Sequence, residues 1–241
     1  REFQILERMM PPDQATAYQN VVTHARGCKP APGTMLKALQ GLRSVSLHPF
    51  KFQGQTDDEF IKQSARLTVL FELLGQIADR KEKALVFLES LELQATLSEL
   101  IQRRFRLATP PLIINGEVGG DKRKKRVDLF QARAAFDVML LSPRAGGVGL
   151  TLHAANHVVH LSRWWNPAVE DQCTDRVYRI GQTRNVRVYL PLAIHPLYPE
   201  ESFDRRLHHL LERKRRLSRA LLAPPGGSEQ EVADLFREIV H

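Results

Sequence analysis

The chain has few cysteines and no long hydrophobic run. Its 241 residues include only Cys28 and Cys173, which stand far apart and outside any CxxC or Cys/His spacing. This pattern excludes a disulfide framework and indicates no zinc site. No apolar run of roughly 18 residues and no signal peptide occurs, which argues against a membrane or secreted protein. We expect a reducing, cytoplasmic setting.

Two motifs of nucleotide hydrolysis are absent as well. No Gly-Lys pair occurs, so the chain has no GxxxxGK[ST] loop for phosphates and Mg²⁺. The acidic run Asp57–Glu59 is not a DExH box, because no apolar strand leads into it. The sequence also starts at Arg1, within a charged segment that has no initiating Met. We therefore expect a fragment of a longer protein.

The sequence does contain enough apolar residues for a sizeable core. Hydrophobic residues make up 43% of the chain, which suits one large domain or one domain with a small helical addition. The formal net charge is +8. A positive balance favours a polyanionic partner, although it also serves plain solubility.

Short apolar runs alternate with helix-length segments. The runs predict strands at about 84–88, 112–114, 136–141, 157–161 and 186–190. This alternation is typical of an α/β fold in which helices cover both faces of a parallel sheet.

The same patterns divide the chain into four parts. We expect a helical segment at 1–50, the α/β domain at 51–200, a basic amphipathic helix at 201–223 and a linker with a short helix at 224–241. The first part is predicted to be helical rather than stranded, with a break at Lys29–Gly33. Ser64 is expected to cap a helix with an apolar stripe, and Ser228 to open the last helix through a capping box.

The stretch from Ser142 to Gln182 is the most informative part of the sequence. A predicted strand ends there in the glycine-rich turn Pro143–Gly149, whose free amides suit an anion. A second buried strand follows, and Asn166-Pro167 then opens a helix. That helix is predicted to carry Arg176 and Arg179, which stand three apart and would share one helical face.

This stretch resembles motifs V and VI of the Swi/Snf family of ATP-driven DNA translocases and chromatin remodellers. The family pattern runs roughly STRAGGxGxNL, then DxxWNP, then QAxxRxxRIGQ, and the order and spacing agree throughout. Pro143 stands where the family usually has Thr, and Thr151 where it often has Asn. Ser162-Arg163 stands where an acidic residue is common.

The resemblance covers most of the chain. Lys83–Leu88 and the helix after it resemble motif IV. Ile114–Gly116, followed by Arg123, reproduces the family's LxGxxxxxxRxxxIxxF spacing, and Met35–Pro49 resembles the segment before the second motor lobe. The variants GLTLHAANHV and RWWNPAVEDQ are similar to those of bacterial members.

The resemblance implies a fold and an activity. The chain would be the second RecA-like lobe of a double-stranded DNA translocase, with the basic helix at 201–223 as a brace. ATP and Mg²⁺ would be held mainly by the absent first lobe. The longer protein would be an ATP hydrolase, and the fragment alone is expected to be inactive. Its partners would be duplex DNA, the first lobe and a protein cargo. It would act on the nucleoid of a bacterium or in a nucleus.

The resemblance also assigns site residues. Arg176 and Arg179 would be catalytic, because they would stabilise the charge on the ATP phosphates. The ATP-binding set is Gln172, Gly147, Gly149, Arg176 and Arg179. The DNA-binding set is Arg144, Gly146, Thr151, Trp165, Arg123 and Gly116. No residue is assigned to a metal.

Each assignment has a plainer alternative. The two arginines could lie on a solvated helix face, the glycine-rich turn could hold no ligand, and Trp165 could be a core residue beside a loop. Lys122–Arg126 resembles a nuclear-localisation signal, but its place at a helix start favours phosphate contact. His157 and His160 have odd spacing on a strand and face opposite ways, which argues against a metal cluster with His153.

Two other functions stay open. The chain could be a non-catalytic nucleic-acid or protein docking module derived from a helicase lobe, and Arg179→Ala would then leave its function intact. It could also belong to an RNA-directed or strand-separating helicase, although AGGVGL and RIGQ argue against this. Comparing its binding to duplex DNA, single strands and RNA would separate these readings.

Overall fold

The computed structural model describes residues 1–29, 31–143, 150–177, 182–221 and 229–240. The chain divides into two compact units. The sheet unit comprises Arg1–Leu6, Leu70–Trp164 and Ala168–Pro191, and the helical unit comprises Glu7–Val69, Trp165–Pro167 and Leu192–His241.

The described strands form one six-stranded sheet in the order β1-β6-β5-β2-β4-β3. Their bounds are β1 Glu2–Met9, β2 Lys83–Phe87, β3 Leu112–Ile114, β4 Asp137–Leu141, β5 His157–His160 and β6 Arg187–Ile194. The ladders that join β3, β4, β2, β5 and β6 are parallel. Strand β1 is also parallel to β6, since Glu2 N donates to Val186 O and Met10 N to Ile194 O.

Nine helices accompany the sheet in the described ranges. Their bounds are α1 Pro12–Arg26, α2 Pro32–Leu47, α3 Asp57–Lys62, α4 Ala65–Asp79, α5 Leu91–Phe105, α6 Gly120–Ala132, α7 Pro167–Asp175, α8 Phe203–Leu221 and α9 Glu229–Val240. Not one of the described helices is long and apolar enough to cross a membrane.

The predicted α/β fold with a covered parallel sheet is confirmed. Every residue of β2, β4 and β5 is buried, so side chains on both faces of these strands are covered. One layer of the core packs Leu85, Met139 and Val158 against Phe130 of α6 and Cys173 of α7. The strands predicted from apolar runs begin within one residue of their observed starts.

Strand β6 continues past Pro191, beyond the end predicted for it. Arg187 N donates to Asn156 O, so odd-numbered residues of β6 direct their amides toward β5. The ladder between β5 and β6 ends at Tyr189, and the missing amide of Pro191 therefore costs no ladder hydrogen bond. This placement explains how a proline is tolerated inside the strand.

The prediction that residues 1–50 are helical is wrong for Glu2–Met9, which form β1. Phe3 and Ile5 alternate with Glu2 and Gln4, but Leu6 breaks the alternation, and the Phe3 and Ile5 side chains are exposed. The segment forms a strand only because β6, almost the whole chain away in sequence, supplies the hydrogen-bonding edge. Sequence periodicity cannot reveal such a distant partner.

The helical unit has its own core. Tyr18 and Val22 of α1 and Leu39 of α2 pack with Phe203 of α8 and Phe236 of α9. The predicted break in the first 50 residues is confirmed, because α1 ends at Arg26 and α2 begins at Pro32. The role of α8 as a brace and the predicted domain limits stay predictions.

Two predicted helix caps have different outcomes. Ser64 precedes α4, and its Oγ accepts a hydrogen bond from Leu67 N at 3.1 Å, so the predicted cap is confirmed. The capping box predicted at Ser228 lies outside the described residues.

Candidate functional site

Four connections meet at the carboxyl edge of the sheet unit. Strands β2, β3, β4 and β5 are parallel, so the segments that follow them lie along the same edge. These segments are residues 88–90, 115–119, 142–143 and 161–164. Open α/β sheets bind ligands at this edge.

Gln94 of α5 joins three of these segments. Its buried Nε2 donates to Leu88 O at 2.9 Å and to Ser142 Oγ at 2.8 Å. Its Oε1 accepts from Asn115 Nδ2 at 3.2 Å. The start of the glycine-rich turn is thereby fixed against the ends of β2 and β3. Nothing in the sequence singles out Gln94, since it is one polar residue on an amphipathic helix.

The glycine-rich turn begins and ends against α7 and the turn after it. Cys173 Sγ donates to Pro143 O at 3.6 Å, and Leu152 N donates to Arg176 O at 3.1 Å. The two stretches that carry the predicted phosphate-binding residues are therefore held together. Five of those residues lie outside the described residues: Arg144, Gly146, Gly147, Gly149 and Arg179.

Arg176 lies directly after α7. The prediction that a helix carries Arg176 is wrong by one residue, because α7 ends at Asp175. The carbonyl of Arg176 accepts from Leu152 N, and Val177 N closes a tighter turn onto Thr174 O at 3.1 Å. The Arg176 side chain is only 5% exposed.

The other two residues near the end of α7 differ in exposure. Gln172 is exposed, and its contact with ATP stays a prediction. Cys173 is buried, and burial raises the pKa of its thiol to about 12, although the charge of Arg176 acts in the opposite direction. Cys173 is therefore a packing residue and not a nucleophile.

A buried ion pair holds the start of α7 against the end of β5. Arg163 Nε donates to Glu170 Oε1 at 2.7 Å, and Trp164 N donates to the same oxygen at 3.0 Å. Burial alone would raise the pKa of Glu170, but the charge and hydrogen bonds of Arg163 lower it to about 2. In the sequence, Ser162-Arg163 is visible only as a departure from the family pattern, which does not predict this ion pair.

Trp165 packs within the helical unit. Its half-buried ring meets the Phe203 ring edge-on, with 6.4 Å between centroids, and its carbonyl accepts from Lys214 Nζ at 3.4 Å. These contacts agree with the alternative that Trp165 is a core residue beside a loop. The contact of Trp165 with DNA stays a prediction.

Thr151 O accepts from Gln131 Nε2 at 3.5 Å. Thr151 thus lies beside the end of α6, apart from the segments of the carboxyl edge.

The basic run 122–126 occupies the first turns of α6, as predicted. Arg123 Nη2 donates to Val118 O at 3.0 Å, and Arg126 donates to Ile113 O, so both side chains fold back on the chain. The three lysines of the run are exposed.

Gly116, which follows β3, is also exposed, and a Cβ there would meet no described heavy atom within 4 Å. The fold itself therefore does not require glycine at this position.

The three histidines have separate partners. His157 Nε2 lies 2.6 Å from Glu82 Oε2 and its Nδ1 lies 3.0 Å from Tyr189 Oη. His160 Nε2 lies 3.0 Å from Thr174 Oγ1, and His153 contacts Gln131. In the described part of the chain, no three His, Cys, Asp or Glu side chains stand where they could hold a metal ion.

Comparison with known proteins gives consistent matches. Residues 65–181 match the helicase conserved C-terminal domain. The Zorya protein ZorD of Escherichia coli is 36% identical over 204 residues, which cover 82% of this chain and 18% of ZorD. YwqA of Bacillus subtilis is 33% identical over 207 residues, which cover 84% of this chain and 22% of YwqA. The chain thus spans about a fifth of the length of these relatives.

Solved structures match over almost the whole chain. The C-terminal part of the Fun30 ATPase domain has a TM-score of 0.77 at 19% identity, over 100% of this chain and 98% of that one. The Sulfolobus solfataricus SWI2/SNF2 ATPase core has a TM-score of 0.74 at 26% identity, over 97% of this chain and 48% of that one. The same core in complex with dsDNA has a TM-score of 0.75 at 24% identity, over 99% and 49%.

Proposed function

Because the chain carries the helicase C-terminal lobe of a Swi2/Snf2-type ATPase, we propose that it works as the second motor lobe of an ATP-driven double-stranded DNA translocase. The relatives that it matches are several times longer. The P-loop and the acidic box of the motor would therefore belong to a first lobe elsewhere in the protein. This chain would supply basic residues that contact ATP bound on the first lobe. It would also form part of the surface along which DNA moves, which we call the DNA track.

The observation that carries this proposal is the junction between the glycine-rich turn and the end of α7. The contacts Cys173–Pro143 and Leu152–Arg176 hold the described residues on either side of the glycine-rich turn against the end of α7 and the residue after it. We expect these contacts to transmit a change at the nucleotide phosphates to the residues that would contact DNA. Packed side chains and hydrogen bonds are one route by which two sites are coupled.

The residues of this junction suit phosphates and not a metal ion. Arg176 and Arg179 supply guanidinium groups, which bind phosphate oxygens through paired hydrogen bonds, and Gln172 supplies an exposed amide. Bound ATP would bring the phosphoryl group that is transferred to water, and bound Mg²⁺ would neutralise part of its charge. We propose that the Mg²⁺ ligands lie on the first lobe, together with the P-loop.

The DNA track is proposed along the carboxyl edge, at Gly116 and the start of α6. Three exposed lysines crowd the amino end of this helix, where the helix dipole disfavours positive charge. A bound phosphate would offset both the crowding and the dipole. The glycine at 116 leaves space for a backbone to approach. The related Sulfolobus solfataricus core, solved with dsDNA, has this fold.

The proposal is tested by ATP hydrolysis of the longer protein that contains this lobe, with and without duplex DNA. Arg179→Ala should reduce the DNA-stimulated rate by about 10³ to 10⁵ if the arginine stabilises charge in phosphoryl transfer. Arg104→Ala, on the exposed face of α5, is the matched control and should leave the rate unchanged. Duplex-stimulated hydrolysis that persists in Arg179→Ala would instead support a docking module without a catalytic role.

The isolated lobe provides a second test. Without a P-loop it should bind ATP poorly and hydrolyse it negligibly, yet it should still bind duplex DNA through its basic edge. Each phosphate neutralised should add a slope of about −0.9 to log K against log salt on duplex DNA. DNA-stimulated ATP hydrolysis by this chain alone would contradict the proposal.

A further inference from the structure

The hairpin of α1 and α2 has a charge distribution that the motor proposed above does not use. Between Gln14 and Thr56 the sequence contains five Lys and Arg residues, four of them in the hairpin, and no Asp or Glu; the one acidic residue of the hairpin is Asp13 in the first turn of α1. The whole chain contains 27 acidic residues, so their absence from this stretch is a local feature. A surface of one sign attracts a partner of the opposite sign and discourages others.

An open groove of about 620 Å³ lies between these two helices. One face of each helix forms a wall, with positions spaced by three, four and seven residues. The groove-lining residues include Val21, Ala25 and Cys28 on the α1 side and Lys37, Ala38 and Gly41 on α2. We call this feature the α1/α2 groove.

Small apolar residues form the floor of the α1/α2 groove. Ala25 is buried, and Val21, Ala38 and Gly41 are half-buried. A Cβ at Gly41 would lie 3.2 Å from Val21 Cγ1, so α1 and α2 already pack closely at this point of the floor. The rim is polar and carries the positive charge of Lys37, and both Lys37 and the His24 ring are exposed.

Helix α9 shows which kind of element packs on this hairpin. Its sequence contains four acidic residues and one basic residue, and its apolar face is buried in a core shared with α1 and α2. Phe236 and Ile239 of α9 belong to the same cluster as Val22 and Leu39. The acidic residues Glu231 and Glu238 of α9 pair with Lys214 and Arg206 of α8, so α9 meets the hairpin through its apolar face. The α1/α2 groove offers a second apolar face, with a positive charge at its rim.

We propose that the α1/α2 groove binds an acidic amphipathic helix of a partner protein. Apolar side chains of that helix would lie between Val21 and Ala38, and its acidic residues would meet Lys37 and His24. Helix-in-groove recognition uses apolar anchors at this spacing. Duplex DNA fits less well, because phosphate contacts make no use of an apolar floor.

The test uses fluorescence anisotropy with a labelled helical peptide of about 14 residues, with Leu at the spacing of one helical face and Glu on the other. The peptide should bind this chain, and Lys37→Glu should weaken binding by about tenfold or more. Gly33→Trp should do the same by filling the groove, since a Cβ at Gly33 would meet no described atom within 4 Å. Lys62→Glu, an equal charge reversal on the exposed side of α3, should leave binding unchanged.

A footprint on Cys28 locates the peptide. Cys28 lines the groove, so bound peptide should slow its alkylation by iodoacetamide. The proposal would be overturned by equal binding of a peptide with Lys in place of Glu, by the absence of any binding, or by a Cys28 footprint from a short duplex DNA that exceeds that of the peptide.

Discussion

Arg163 and Glu170 form a buried ion pair in which one carboxylate oxygen also accepts the amide of Trp164. The pair links the end of β5 to the first turn of α7, and so fixes the helix that leads to Arg176. Glu170→Ala should lower the free energy of unfolding by about 3 to 5 kcal/mol, because it leaves Arg163 buried and charged without its partner. Urea unfolding of the chain measures this effect.

A double variant separates charge burial from packing. Arg163→Met with Glu170→Leu removes both charges and should recover most of the lost stability. If the double variant is as unstable as Glu170→Ala, the loss comes from packing and not from an unpaired charge.

Two buried histidines predict a loss of stability in mild acid. Phe50 N donates to His48 Nδ1 and Leu197 N to His195 Nδ1, an arrangement that requires a neutral ring. Burial lowers the pKa of both histidines. Below about pH 6.5 the unfolded chain therefore binds protons that the folded chain does not. The free energy of unfolding should fall as pH falls from about 7 to 5.

Urea titrations across this pH range measure the effect. The variant His48→Gln with His195→Gln should be less stable at neutral pH but should show a flatter dependence on pH. An unchanged slope would mean that other groups cause the acid sensitivity.

Gln94→Leu should loosen the carboxyl edge. The substitution leaves Leu88 O and Asn115 Nδ2 without the hydrogen bonds of Gln94 and should cost about 1 to 3 kcal/mol. Gln102→Leu on the same helix, which removes one contact of 3.5 Å to Leu107 O, is the control and should cost less. Equal costs in chemical denaturation would show that the Gln94 network does not stabilise the edge.

Gly116→Ala separates a folding role from a binding role. A Cβ at this position meets no described atom within 4 Å, so the stability should stay constant or rise by up to about 1 kcal/mol. If a DNA backbone approaches here, the affinity for duplex DNA should still fall. Gly75→Ala on α4, which is equally open, should not change DNA affinity. Unchanged affinity in Gly116→Ala would remove Gly116 from the proposed track.

The two cysteines should differ in reactivity. Cys173 is 1% exposed and the pKa of its thiol is raised to about 12 by burial, whereas Cys28 is half-exposed. Iodoacetamide should alkylate Cys28 in the folded chain and Cys173 only after unfolding. Mass spectrometry of peptides counts the modified sites, and rapid labelling of Cys173 in the folded chain would contradict the buried position.

The sequence by itself determined the α/β class and most strand positions, because a strand buried on both faces needs an unbroken apolar run wherever it pairs. It also determined the start of α7 at Asn166-Pro167 and the basic start of α6, since these depend on neighbours within a few residues. The glycine and arginine pattern predicted the family, because each motif consists of residues that are close together in the sequence.

Tertiary structure decided what depends on distant partners. Glu2–Met9 form a strand because the edge of β6 supplies their hydrogen-bond partners. Gln94 hydrogen-bonds to three segments because the residues that follow β2, β3 and β4 lie beside it. Arg176 lies directly after α7, and its carbonyl accepts a hydrogen bond from Leu152, which is distant in sequence. The α1/α2 groove likewise exists only where two helix faces meet. A hydrogen bond or cavity between segments far apart in the chain leaves no periodic trace in either segment, so these features required the folded molecule.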